Sequence, residues 1–208
     1  YINRLIGAIS GIPILLFTII SVVYFKKYKH LTFVSILTVI CMGFQAWLGK
    51  TVVDSNLAPF KITFHMLMAL LIIAFLIYLV NSSSKNTIKR NKIFTNFLFV
   101  AIVLTLIQIV LGTQVRQFVD EQANIYYDKH QWFNEIPMVY EYHRSFSLVV
   151  ITVNFGLFYL NKKLNLGNNY ITYVIVLLFI EALSGVLMFY FDFPFGSQTI
   201  HLFIASLI

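Results

Sequence analysis

The sequence has little cysteine and little charge, and each shortage narrows the class of protein. Its one cysteine, Cys41, has no partner, which excludes an intrachain disulfide and a metal site built from several thiolates. Charged residues make up only 11% of the chain, far below the usual share in soluble globular proteins. No glycine-rich phosphate loop occurs, so nothing indicates a nucleotide site of that kind.

The residues that are abundant are apolar, at 59% of the chain with a mean hydropathy of +0.82. Apolar stretches long enough to cross a hydrocarbon core of about 30 Å recur along the sequence. In lipid every backbone polar group must be paired within the segment, so these stretches are helices. We therefore predict an all-α polytopic membrane protein. The predicted helices are Leu5–Phe25, Leu31–Leu48, Ile62–Val80, Ile93–Val115, Phe146–Leu160 and Tyr170–Phe191, with a seventh that starts at Thr199.

Basic residues indicate the orientation of these helices. The connections after the first, third and fifth predicted helices are rich in lysine and arginine and contain no acidic residue. Short loops of this kind stay on the cytoplasmic side, so we place these three connections inside. The net charge of +7 is then a topology signal and does not indicate nucleic-acid binding. The basic residues are Lys26, Lys27 and Lys29, then Lys85, Lys89, Arg90 and Lys92, then Lys162 and Lys163.

An internal repeat relates the two halves of the chain. Four positions of the first half recur in the second half 136 residues later, and Asn3-Arg4 corresponds to His143-Arg144 with a shift of 140. We therefore predict two related helical half-bundles, residues 1–92 and residues 93–208. The recurring positions are Gln45, Gly49, His65 and Ala69 in the first half, and Glu181, Gly185, His201 and Ala205 in the second.

The ends of the sequence look like internal positions of a longer protein. The chain starts at Tyr1 without methionine, and it continues for only seven residues after His201. The seventh predicted helix is then too short to span a membrane. We expect at least one further helix before Tyr1 and a last helix that is cut short.

With this topology, Asn3, His65, His143 and His201 fall at the outer ends of four helices. Histidine inside a membrane bundle is costly and is a functional hypothesis by default. Imidazole is also a common axial ligand of haem iron. We predict that His143 and His201 are the two ligands of one haem in the second half. No CxxCH motif occurs, so any haem is held non-covalently.

Arginines near these positions are candidates for pairing with haem propionates. Arg144 follows His143 directly, and guanidinium groups bind carboxylates through two parallel hydrogen bonds. Arg116, at the outer end of the fourth predicted helix, is a second candidate.

The first half has only one good iron ligand. His65 corresponds to His201, but its expected partner is Asn3, and asparagine is a poor ligand for haem iron. Two explanations compete. Either this half has lost its cofactor, or it holds a haem whose second axial position is open, as chemistry at the iron requires.

Three polar-xxx-Gly pairs occur, namely Gln45–Gly49, Gln108–Gly112 and Glu181–Gly185. We interpret the glutamine pairs as packing grooves with one interhelical hydrogen bond. A carboxylate such as Glu181 in the hydrocarbon requires a partner or a proton. The polar segment from Arg116 to Glu141 is predicted as an outer loop, either a lid or docking loop or a packed cap.

Seven segments of the sequence resemble haem A synthase. The match runs through essentially the whole chain, from the second helix of that family's eight into the last. The segments of the first half are Tyr1-Ile2-Asn3-Arg4-Leu5-Ile6-Gly7, Gln45-Ala46-Trp47-Leu48-Gly49-Lys50-Thr51-Val52-Val53, Leu57-Ala58-Pro59 and Thr63-Phe64-His65-Met66. Those of the second half are Gln108-Ile109-Val110-Leu111-Gly112-Thr113-Gln114-Val115-Arg116, His143-Arg144 and Glu181-Ala182-Leu183-Ser184-Gly185-Val186-Leu187.

The resemblance implies an enzyme of cytochrome oxidase assembly that oxidises the C8 methyl of haem O to the formyl group of haem A. It implies two pseudo-symmetric four-helix bundles, a haem b cofactor on His143 and His201, and the substrate haem at His65. Arg4 and Arg144 are then the candidates for propionate pairing. Implied partners are haem O, the farnesyltransferase that makes it, other oxidase assembly factors and membrane lipid, with no nucleic acid. A bacterial inner membrane, with the haem-ligand ends outside, is the expected location.

The sequence departs from the family at Asn3, where the first motif, Glu-x-x-His-Arg, has its histidine. The glutamate of that motif would precede Tyr1, and so would a cysteine pair found in many members. The substitution fits a five-coordinate iron at which oxidation takes place, with His65 and Asn3 as the residues at the reacting haem.

Two other functions remain open at this point. A non-enzymatic dihaem electron carrier would want two ligands per haem, usually with haems near both leaflets, and Asn3 together with the one-sided placement disfavours it. A haem-binding or haem-transfer protein without catalysis stays compatible with Asn3.

Overall fold

The protein is an integral membrane protein made of helices. The structure, a computed structural model, describes residues 2–24, 29–54, 59–82, 91–133 and 135–208, with side chains described outside residues 2–4, 24 and 59. These ranges contain seven α-helices, and the first six are long and apolar enough to cross a membrane. The predicted all-α membrane fold is confirmed. The helices are α1 Ile2–Tyr24, α2 Lys29–Asp54, α3 Pro59–Ser82, α4 Lys92–Ile125, α5 Met138–Lys163, α6 Tyr170–Tyr190 and α7 Ser197–Leu207.

The chain divides into two compact units, Tyr1–Thr87 and Ile88–Ile208. The division falls within a few residues of the boundary predicted at 92/93. In the first unit α2 packs against α1 and α3. In the second unit consecutive helices pack in order, α4 on α5, α5 on α6 and α6 on α7.

Small polar residues join α1 to α2. Thr18 Oγ1 donates to Ser35 O at 3.2 Å, and the hydroxyls of Ser21 and Thr32 lie 3.2 Å apart. Ser21 and Ser35 are almost completely buried. Hydroxyl groups of this kind let two membrane helices approach closely and form hydrogen bonds across the contact.

The second unit has its apolar core where α4, α5 and α6 meet. Phe94, Ala101, Leu157 and Ile171 are buried there in one cluster. Nearby, Asn161 ties the end of α5 to the turn before α6, because its side chain both donates to Asn168 O and accepts from Asn168 N.

The helix boundaries around the predicted outer loop differ from the prediction. α4 continues ten residues past Val115 to Ile125, so the first part of the segment Arg116–Glu141 is helical and was wrongly predicted as a loop. The physical reason lies in side-chain pairs one turn apart, Arg116 with Asp120 at 3.7 Å and Gln117 with Glu121 at 2.6 Å. These pairs support a helix after its apolar stretch has ended.

α5 also begins earlier than predicted, at Met138 instead of Phe146. Pro137 directly precedes it in an extended conformation, which suits the start of a helix because proline has no N–H to leave unpaired. The shift matters for function because it places His143 inside the second turn of α5.

Candidate functional site

Each of the three described candidate histidines packs against a glycine of the preceding helix. A methyl group built on Gly49 would lie 3.2 Å from His65 Cε1, and one built on Gly112 would lie 3.1 Å from His143 Cε1. The matching distance from Gly185 to His201 Cε1 is 3.4 Å. In all three cases the missing side chain leaves room for an imidazole directly against a helix backbone.

Gly49 and Gly112 each have a glutamine one turn earlier in the helix, and this glutamine donates a hydrogen bond to the backbone carbonyl of the same histidine. Gln45 Nε2 donates to His65 O, and Gln108 Nε2 donates to His143 O, both at 3.0 Å. These bonds confirm the interpretation of the glutamine pairs as packing grooves with one interhelical hydrogen bond. Gln45 Nε2 also lies 3.5 Å from His65 Nε2.

Glu181 takes the place of the glutamine in the third pair and makes a different contact. Its Oε1 lies 3.1 Å from His201 Nε2, with both side chains mostly buried. Glu181 was predicted to require a partner or a proton, and the structure gives it His201 as a partner.

Ser184 fixes the orientation of the same imidazole from its other nitrogen. Its hydroxyl lies 2.7 Å from His201 Nδ1 and donates to Glu181 O at 2.8 Å. A hydroxyl has one proton, so its oxygen is left to accept the Nδ1–H of His201. Nε2 is then the nitrogen that can offer a lone pair to a metal.

His143 and His201 belong to the same unit. Their helices, α5 and α7, both pack against α6. The structure therefore brings together the two residues predicted as a ligand pair. His65 lies in the other unit, at the second turn of α3, and the side chains of Asn3 and Arg4 lie outside the described residues.

The two described arginine candidates differ in their partners. Arg116 is already paired with Asp120 at 3.7 Å on an exposed face. Arg144 is exposed and forms no ion pair with any carboxylate in the described part of the chain. Of the two, Arg144 has its guanidinium available for an added carboxylate.

Several buried polar atoms around the histidines have no hydrogen-bond partner within the described ranges. Buried polar atoms are nearly always paired in native proteins, so a group of unpaired ones indicates a place that a ligand completes. Together with the glycine cradles, this fits a flat cofactor with axial nitrogen ligands. The atoms are His65 Nδ1, His143 Nδ1, Gln45 Oε1, Gln108 Oε1, Glu181 Oε2 and Ser197 Oγ.

A protein-only metal site does not fit as well. Among the residues that the structure describes, no three side chains of the His, Cys, Asp and Glu types come together as a metal-binding group. A haem brings four nitrogen ligands of its own and needs only one or two from the protein.

Comparison with known protein families identifies the chain. Residues 1–208 match the COX15-CtaA family, described as cytochrome oxidase assembly protein. The chain belongs to this family. Neither the curated proteins nor the solved structures gave a match. The resemblance inferred from the motifs is confirmed at the level of the family, and the protein is a membrane protein of cytochrome oxidase assembly.

This assembly protein has a further feature near His201 that motif analysis missed, an aromatic cluster centred on Phe133. The Phe133 ring stacks on Phe193 with centroids 5.5 Å apart and planes at 4°. It also contacts Phe118 of α4, Tyr140 of α5 and Phe189 of α6, with centroids 5.2 to 5.7 Å apart. The cluster ties the connection between α4 and α5 to three helices, so this segment is a packed cap.

The same cap holds the turn that precedes α7. Lys129 Nζ donates to Phe193 O at 2.8 Å, and His130 Nδ1 lies 3.2 Å from Asp192 Oδ2. Asp192 and Phe193 have positive φ angles of 52° and 51°, a conformation that costs a residue with a side chain about 1–2 kcal/mol. These contacts compensate for that cost. Abundant aromatic residues before His143 and after α6 were the only sequence signal for the cap.

Proposed function

We propose that this assembly protein is a haem A synthase, which oxidises the C8 methyl group of haem O to a formyl group. The observation that carries the proposal is the repeated packing of a histidine against a glycine, with two such histidines in the second unit and one in the first. A closed two-histidine site suits electron transfer, and a one-histidine site leaves a position open for chemistry.

In the second unit, His143 and His201 would hold haem b as its two axial ligands. Gln108 anchors the backbone of His143, and Ser184 keeps the proton of His201 on Nδ1. Second contacts of this kind orient ligand histidines and raise their basicity. When bound, the haem would supply one-electron oxidation and reduction within the membrane.

His201 Nε2 faces Glu181 in this structure, so binding iron requires the imidazole and the carboxylate to separate. Glu181 Oε2 has no hydrogen-bond partner in the described residues, which leaves the carboxyl group able to turn to another partner.

In the first unit, His65 would hold haem O from one side. Gln45 anchors its backbone, and Gly49 lets the imidazole lie flat against α2. Asn3 takes the position that a second histidine has in the family motif, and we assign it to the open side of the reacting haem. An Asn3→His variant should therefore lose activity, and a gain would contradict the open-site hypothesis.

The propionates of the haems would pair with arginines at the same ends of the helices. We assign Arg144 to the second unit and Arg4 to the first. Arg116 is a weaker candidate because it already pairs with Asp120.

The proposed partners follow from the substrate. Haem O is made by a membrane farnesyltransferase, so that enzyme and other oxidase assembly factors are the expected partners within the lipid. We expect the histidine-bearing helix ends to lie on the outer side of a bacterial inner membrane, and the positive connections support this orientation.

The decisive experiment measures haems extracted from a host that lacks haem A. Cells would express the protein together with a haem O synthase, and chromatography with mass detection would identify the products. We expect haem A with the wild type and with His30→Ala, a control at an exposed histidine of α2, and none with His65→Ala. His143→Ala should abolish a bis-histidine spectrum.

A haem-binding or transfer protein without catalysis is the second candidate, and Asn3 is the observation that favours it. It predicts haem B and haem O alone in the same extraction, with the His143-dependent spectrum retained.

A further inference from the structure

We propose that Lys61 is a carboxylate-binding residue that receives a propionate of the haem held by His65. This inference rests on the proposed function, because it requires a haem in the first unit. It adds a binding residue on α3 that no motif indicated.

Lys61 lies on the same face of α3 as His65. The two residues are four positions apart in one helix, so their side chains are neighbours, with Lys61 about 6 Å nearer to the start of the helix. Lys61 Nζ reaches across to α2, where it donates to Thr51 O at 3.4 Å. The ammonium group therefore lies between the same two helices that enclose the His65 imidazole.

The Lys61 ammonium group forms no ion pair with a described carboxylate. Among the described residues, its hydrogen bond to Thr51 O is long and goes to a neutral carbonyl, whereas an ammonium has three donors. The only acidic residue in the unit Tyr1–Thr87 is Asp54, which is exposed and forms no ion pair with Lys61. A partly buried cation at the edge of a hydrocarbon layer is stabilised by an anion. Lys61 is thus in place to accept one.

The internal repeat supports the position independently. Ser197 lies 136 residues after Lys61 and stands in the same relation to His201, four residues before it. Its Oγ is buried and has no hydrogen-bond partner in the described part of the chain. In each unit, the turn before the histidine carries a polar group that the described residues leave incompletely bonded.

The chemistry of the ligand completes the argument. A haem carries two propionate carboxylates on one edge of its ring, and lysine binds such groups as a point charge. Lys61, which is charged, lies in the first unit, which is proposed to exchange substrate and product. Ser197, which is neutral, lies in the second unit, which is proposed to keep its haem.

The test is a binding titration that compares protohaem with its dimethyl ester, which lacks the carboxylates. The full chain, purified in detergent, would be titrated as wild type, Lys61→Gln, Lys61→Arg and His65→Ala, with absorbance as the signal. Lys50→Gln is the matched control, because Lys50 lies beside Gly49 but is exposed. The haem that binds to the wild type and not to His65→Ala defines the first-unit site.

We expect Lys61→Gln to weaken binding of protohaem at this site by about tenfold and to leave the ester unchanged. Lys61→Arg should restore most of the affinity, and Lys50→Gln should have little effect. An equal loss with both haems, no loss with either, or a Lys50→Gln effect as large as that of Lys61→Gln would overturn the assignment. Absence of any His65-dependent haem would instead overturn the proposed function.

Discussion

Replacing Gly112 with alanine tests whether the glycines position the candidate ligands. The added methyl would lie 3.1 Å from His143 Cε1, whereas carbon atoms pack best at about 3.5–4.0 Å. The imidazole would have to move by roughly 0.4 Å or more. The corresponding distances are 3.2 Å at Gly49 and 3.4 Å at Gly185. The expected order of effect is therefore Gly112→Ala, then Gly49→Ala, then Gly185→Ala.

The size of the effect follows from two opposing contributions. Overpacking costs about 1–3 kcal/mol, and alanine gains up to about 1 kcal/mol over glycine in a helix. A net loss of up to about 2 kcal/mol lowers haem affinity by up to roughly thirtyfold. Gly43→Ala is the control, because nothing lies within 4 Å of its added methyl and only the helix gain remains.

The assay is the ratio of haem to protein after purification, together with the low-spin spectrum of the bis-histidine haem. Gly112→Ala should lose haem while the folded protein is retained, and Gly43→Ala should keep it. The reasoning is refuted if Gly112→Ala binds haem as tightly as Gly43→Ala, or if Gly185→Ala is the most damaging of the three.

Three further predictions concern the groups around the histidines. Ser184→Ala removes the acceptor for His201 Nδ1–H and should weaken haem binding about tenfold with a shifted absorption maximum, unlike Ser206→Ala, whose hydroxyl bonds only to Phe203 O. Gln108→Leu removes the hydrogen bond to His143 O and should lower the free energy of unfolding by about 1 kcal/mol. The same substitution at the exposed Gln114 should leave that free energy unchanged. Phe133→Ala should destabilise the cap by about 2 kcal/mol and speed protease cleavage at residues 126–137, and an effect no larger than that of lipid-facing Phe99→Ala would contradict the role of the cluster.

The class of fold was predictable because it follows from composition. Six helices long enough to span a membrane follow directly from the apolar stretches and from the need to pair backbone groups in lipid. The boundaries were less predictable, since apolar residues show where lipid begins and not where hydrogen bonding ends. α4 reaches Ile125 through the bonded pairs of its polar end, and α5 begins after Pro137.

The site was predictable where the two halves repeat. The Gln45–Gly49 and Gln108–Gly112 pairs indicated packing grooves with one interhelical hydrogen bond, and the bonds to His65 O and His143 O confirm this. The sequence did not indicate that histidines occupy these grooves. Ser184 was missed because its counterpart in the first half is Leu48, so no repeat draws attention to it. Roles toward haem remain predictions for all of these residues.

A packed cap was one of the alternatives for this segment, but the aromatic contacts within it could not be predicted, for a different reason. The contact of Lys129 with Phe193 O joins residues 64 positions apart, and such pairings depend on the packing of whole helices. A local pattern of aromatic residues does not specify which ring will meet which.

The turn before α7 also has a consequence for the order of biosynthesis. Asp192 and Phe193 hold their left-handed conformation against Lys129, His130 and Phe133, which leave the ribosome some sixty residues earlier. The residues of the cap are thus synthesised before those of the turn. His201 is the last of the three described histidines to be synthesised. A two-histidine site in this unit can therefore form only after His201 has been synthesised, later than the cap segment and later than His143.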